Sequence, residues 1–171
     1  MNALQIARAT PYGHPMLLVD EAAEGPEPGS VVAYKNITFN EPCFRSAQGA
    51  ASLQQLAYPL ALLIESFGQG AGLLLARRGF IDGENPESAV VFCDFRNIEI
   101  LGEAYPGDRL CHVVRIEQCH ARLAVLSGHC HVGGREIARF GRLTAMRVDM
   151  TGSRSRRSRR SPSIELSLAA G

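Results

Sequence analysis

The chain lacks three things that would each have set its class. Its five cysteines (Cys43, Cys93, Cys111, Cys119, Cys130) are an odd number with no CxxC pair. That fits reduced thiols in a cytosolic protein better than a disulfide framework. Met1 to Arg8 lacks a basic start followed by an apolar run, so no signal peptide is expected there. No stretch is uninterruptedly apolar over the ~18 residues that span a bilayer. The one candidate, Tyr58 to Arg78, is broken by Glu65, Gln69 and three glycines. Tryptophan is also absent, and aromatic residues make up only 6% of the 171 residues.

What remains is a composition sufficient for one domain with its own core, 46% apolar and 20% charged. The formal charge of +1 is unevenly spread. Residues 151–171 hold five arginines and one glutamate, which leaves thirteen basic against sixteen acidic residues, or −3, in 1–150. The division expected is a folded unit over 1–150 and a tail over 151–171. The run TGSRSRRSRRSPS has no apolar residue, and its composition is that of a disordered segment. Without interleaved aromatic residues it makes a poor nucleic-acid arm, so no nucleic-acid partner is expected.

Tyr58 to Arg78 (YPLALLIESFGQGAGLLLARR) reads as a helix apolar on nearly every side. Such a helix has to be wrapped by the rest of the protein. Pro59 suits its first turn, and Arg77, Arg78 and Gly79 make a C-terminal end. Glu65 and Gln69 lie four apart, on one face and one turn from each other. A carboxylate and an amide in that setting are costly unless paired or used, which marks a site.

Around this helix the chain reads as strands. Ser30 to Asn40 is rich in β-branched residues, and four further runs follow: Ser88–Ile100, Arg109–Cys119, Leu123–Val132 and Glu136–Val148. Pro106-Gly107-Asp108 and Gly133-Gly134 mark turns. Cys43 to Ala57 reads as a loop of about fifteen residues, long enough to be functional or mobile. The class is α+β, an antiparallel sheet wrapped around one long central helix.

His129 and His131 share one strand face with Cys130 on the other, as period-two alternation requires. No third ligand stands at a suggestive spacing, so a zinc site is not expected. His112 and His120 read as ordinary strand residues. Cys43 lacks an evident base or positive field to activate it.

The order of motifs resembles one family. PYGHPMLLVD, VVAYKNITFNEPCF, YPLALLIESFGQGAG and YPGDRL are similar in sequence and order to the hotdog-fold β-hydroxyacyl-(acyl carrier protein) dehydratases, over roughly residues 10–148. The resemblance implies a cytoplasmic dimer with its active site at the subunit interface. A loop histidine from one subunit and the helix glutamate from the other would convert a 3-hydroxyacyl thioester to an enoyl thioester and water. It implies Glu65 as a catalytic residue, Gln69 as a helper, Tyr58, Phe44 and Pro59 as substrate-tunnel residues, an acyl carrier protein as partner, and no cofactor, metal or membrane. The family histidine, however, is replaced by Ala47, in the stretch Arg45-Ser46-Ala47-Gln48-Gly49. Basic residues before PGD, thought to meet the carrier phosphate in relatives, are replaced by Glu99-Ile100-Leu101-Gly102-Glu103.

Three functions are compatible with these residues. The chain can be the glutamate-bearing subunit of a dimer with a histidine-bearing relative, in fatty-acid, polyketide or polyene assembly. It can be an autonomous enzyme, either a dehydratase with a displaced base, His14 first, or a thioesterase using Glu65. Or it can be a non-catalytic acyl-binding or scaffold subunit.

Overall fold

The structure, a computed structural model, describes residues 1–81 and 88–149. Residues 82–87 and the basic tail lie outside the described residues. A short helix α1 (Ala3–Ala9) opens the chain, closed at its start by a reciprocal capping box between Asn2 and Gln5. Two early strands follow, β1 (Glu21–Glu24) and β2 (Ser30–Asn36), and then the central helix α2 (Leu60–Arg77). Four long strands complete the fold: β3 (Ser88–Ile100), β4 (Arg109–Cys119), β5 (Leu123–Val132) and β6 (Arg135–Asp149). All six strands form one antiparallel sheet in the order β1-β2-β4-β5-β6-β3.

The four long strands fall within a residue or two of their predicted ranges because alternation and turn chemistry agree there. Gly133 and Gly134 both have positive φ, 57° and 84°, as a two-residue hairpin between Val132 and Arg135 requires. Three expectations need correction. The first strand stops at Asn36, since Ile37 already bonds backward into the turn, its N–H to Asp108 and its carbonyl to Gly107. Glu21–Glu24, with the sequence EAAE, pairs with β2 without any β-branched residue to announce it. Pro59 is the residue before the helix, not within its first turn, because its ψ of 129° is extended. The long loop is also more ordered than a bare connection: three short 3₁₀ turns occupy Pro42–Phe44, Ala47–Gly49 and Leu53–Leu56.

The helix lies in the curve of the sheet and buries Ser66 to Ala71 and Leu73 to Leu75. It is the one element among the described residues long and apolar enough to cross a membrane, and it is the core helix. Phe67 stacks on Phe140 with ring centroids 3.8 Å apart, and a methyl group at Gly70 would come within 3.0 Å of Ala33 Cβ. Helix and sheet therefore meet nearly backbone to backbone. The helix ends in a Schellman motif: Phe80 N–H bonds to Leu75 C=O, Gly79 N–H to Ala76 C=O, and Gly79 takes φ 68°.

One polar pair crosses this interface. His112 follows the inward alternation of β4, with Leu110 and Val114 on either side, and is fully buried rather than an ordinary strand residue. Its Nε2 lies 2.8 Å from Ser66 Oγ, which itself donates to Leu63 C=O, while Nδ1 has no partner. Burial pushes the imidazole pKa down to about 3. The unfolded chain binds a proton near pH 6.5 that the folded chain refuses. Stability from this group is thus complete above that pH and is lost as pH falls toward 3, by up to about 1.4 kcal/mol per pH unit. Denaturant titrations between pH 7 and 4 should show this acid limb in the wild type and a flatter one in His112→Leu.

Candidate active site

The site is built where the segment between α1 and β1 crosses the helix. Gln69, 1% exposed, uses its whole side-chain amide there. Its Oε1 accepts from Leu18 N–H at 2.9 Å and Val19 N–H at 3.4 Å. Its Nε2 donates to Met16 C=O at 2.7 Å and to Glu65 Oε1 at 2.9 Å. An amide offers two donors and two lone pairs, so Gln69 is saturated. It holds both the extended segment and the carboxylate one turn away. Glu65 is only partly buried, which leaves it accessible on the helix face.

Tyr12, from the same crossing segment, is half-buried. Its phenol pKa is raised first by burial and then by the charge of Glu65. His14, two residues on, is exposed and lines a cavity of about 340 Å³ with Phe39, Asn40, Glu41, Pro42 and Arg45.

Beneath the loop lies a second polar knot. Lys35, the only lysine in the chain, is buried and paired with Glu41 at 2.9 Å. Glu41 also accepts from Thr38 N–H at 2.9 Å, fixing the start of the loop. Phe44 packs between Phe39 and Tyr58, with centroids 5.8 and 6.4 Å away, and both Phe44 and Tyr58 are buried. The Tyr58 hydroxyl makes no well-formed hydrogen bond, and burial followed by the nearby Glu41 charge pushes its pKa well above the usual phenol range. Cys43 is exposed beside a cavity of about 360 Å³ in the same loop, its thiol pKa raised by burial and by Glu41, the opposite of activation.

Two of the predicted site residues, Glu65 and Gln69, are thus in direct contact. Phe44 and Tyr58 form a separate buried pair, Pro59 precedes the helix, and His14 sits on the loop-side rim. Tyr12 and the Lys35–Glu41 pair were not singled out from sequence, although both lie inside quoted motifs, PYGHP and KNITFNEP. His129 and His131 pack edge to face at 5.3 Å, opposite the buried Cys130, and burial followed by the charge of His131 lowers the His129 pKa. Among the described residues no group of three or more potential ligands is placed to hold a metal ion.

A family model for the FabA-like domain matches residues 10–141. The chain belongs to that family. A 3-hydroxyacyl-(acyl-carrier-protein) dehydratase FabZ of Aliarcobacter butzleri is 30% identical over 150 residues, covering 87% of this chain and 99% of the relative. A FabZ of Streptococcus equi subsp. zooepidemicus is 31% identical over 144 residues, covering 84% and 96%. Among solved structures, the dehydratase heterocomplex ApeI:P from Xenorhabdus doucetiae matches with a TM-score of 0.64 at 14% identity, covering 85% of this chain and 92% of that one. The Thermus thermophilus protein TTHA0967, a thioesterase superfamily member, matches at 0.56 and 13% identity, covering 78% and 88%. At such identities these structures show the shared hotdog fold. Within this FabA-like domain the loop over residues 42–57 contains no histidine.

Replacing Gln69 by Leu removes the partner of two buried N–H groups and of a carbonyl, and frees the Glu65 carboxylate. Each orphaned group costs about 1–3 kcal/mol. A loss of about 3 kcal/mol in unfolding free energy is expected from denaturant titration.

Proposed function

We propose that this chain is the glutamate-bearing subunit of a 3-hydroxyacyl-(acyl carrier protein) dehydratase, paired with a related hotdog chain that brings the histidine. The observation that carries the reading is the half-site: Glu65 is held on the core helix by Gln69, while the loop that supplies an imidazole in the family has Ala47 instead. In the complete site the partner's imidazole takes the α proton and Glu65 handles the proton at the β-hydroxyl, which leaves as water.

Support for a second hotdog chain comes from the surface. β3 is paired only with β6, so among the described residues its other edge is open. Val91 and Ile100 on that strand and Leu60 at the start of the helix are exposed. An open edge beside apolar side chains is a template for another strand. The heterocomplex among the structural neighbours agrees with pairing by unlike chains. The acyl carrier substrate follows the names of the FabZ relatives. A soluble cytoplasmic enzyme of fatty-acid, polyketide or polyene assembly, without cofactor, is the setting in which such a subunit works.

The test is a mass-detected dehydration assay on a 3-hydroxyacyl carrier thioester, with this chain alone and then with a co-encoded hotdog protein bearing the loop histidine. Turnover is expected only in the mixture and should fall by about 10²-fold or more in Glu65→Gln here. Turnover by the chain alone would contradict the half-site and turn attention to His14 or to a thioesterase. Acyl binding without turnover in any mixture would mark a scaffold subunit.

A further inference from the structure

Burial alone leaves the rotation of the central helix loosely set. α2 is apolar on nearly every side, and in its middle turns Gly68, Gly70, Ala71 and Gly72 offer the sheet no large side chain. Phe67 is the exception, and its stack on Phe140 is apolar contact, which has no preferred direction. Among the described residues, side chains of α2 hydrogen-bond to other elements at two points. Gln69 reaches the crossing segment, whose Met16 to Val19 belong to no strand and can turn with the helix. Ser66 reaches His112 at 2.8 Å, and His112 sits on β4, paired on one side to Ala33 of β2 and on the other to Cys130 of β5. Only this second contact ties the helix to the interior of the sheet.

We propose that Ser66 and His112 are positioning residues for Glu65: their hydrogen bond fixes the rotation of α2 against the sheet, and so the direction in which the neighbouring carboxylate points. Side chains end about 5–6 Å from a helix axis, so a turn of about 20° moves them by about 2 Å. That breaks the bond and leaves the fully buried imidazole without a partner. The same turn displaces Glu65, and a shift of about 1 Å at a reacting group costs up to about 10²-fold in rate. Stability does not call for the pair, because His112 Nδ1 stays unpartnered and apolar groups of the same shape would avoid that cost. The role rests on Glu65 working in the dehydratase site proposed above.

The test replaces both groups at once in the full chain, Ser66→Ala with His112→Leu. This double variant should unfold at a denaturant midpoint no lower than that of the wild type. In the active mixture its kcat should fall about tenfold or more while KM changes less than about twofold, the pattern of a misplaced reacting group. Ser66 Oγ gives its proton to Leu63 C=O and accepts from the imidazole N–H, so His112→Gln, which keeps a donor there, should regain most of that kcat. Full kcat in the double variant would overturn the proposal, and so would a loss of stability in step with kcat. A further readout needs no turnover. The Ala33 methyl lies against Gly70 of the helix, and its ¹³C signal is assigned by its loss in Ala33→Ser. One narrow signal is expected in the wild type and a broadened or doubled one in the double variant, as the helix samples more than one rotation. An equally narrow single signal in both would overturn the proposal. Silence of every mixture, the wild type's included, brings down the dehydratase reading, and the Ala33 signal then still decides whether the pair fixes the helix.

Discussion

The geometry of the site depends on one buried amide. Gln69 spends all four of its bonding positions, two on backbone N–H groups, one on a backbone carbonyl and one on Glu65. A buried amide with free positions would cost several kcal/mol, so burial itself enforces the arrangement. The segment from Pro11 to Asp20 has little regular structure, and without Gln69 the backbone groups of Met16, Leu18 and Val19 would have no such partner beneath it. Through this amide, the requirement that buried polar groups be paired becomes the requirement that Glu65 stay in place.

The rest of the fold serves that requirement. The helix is apolar because the sheet encloses it, and close approach is possible because glycine faces Ala33. The Ser66–His112 pair shows the same logic on another helix face, where the polar contact is fully dry and the imidazole stays neutral. The Lys35–Glu41 pair does so under the loop, where the chain's only lysine is committed to holding the loop's first residues. Three polar contacts thus secure the helix, the loop and the crossing segment, while Glu65 keeps a partly exposed side.

Much of this was legible in the sequence, for physical reasons that vary by element. β3 to β6 alternate strongly and are bounded by turn residues with a steric reason to be there, so their ranges were close. The helix was legible because an all-round apolar stretch has few other fates. β1 was missed because EAAE lacks β-branched residues and is a strand only through its pairing with β2. Glu65 and Gln69 stood out by their setting and spacing. The hold of Gln69 on Met16, Leu18 and Val19 did not, because it exists only once the chain has returned across the helix. His112 was half legible: alternation with Leu110 and Val114 marks an inward side chain, but nothing in the sequence names Ser66 as its partner.

The claim that the crossing segment is locked to the helix by Gln69 is tested most directly by amide hydrogen exchange of Leu18 in the wild-type chain. Exchange as slow as that of the α2 core amides is predicted, because the Leu18 N–H can open only when the helix face opens. Exchange at the rate of an unprotected loop would contradict the lock, and with it the fixed placement of Glu65.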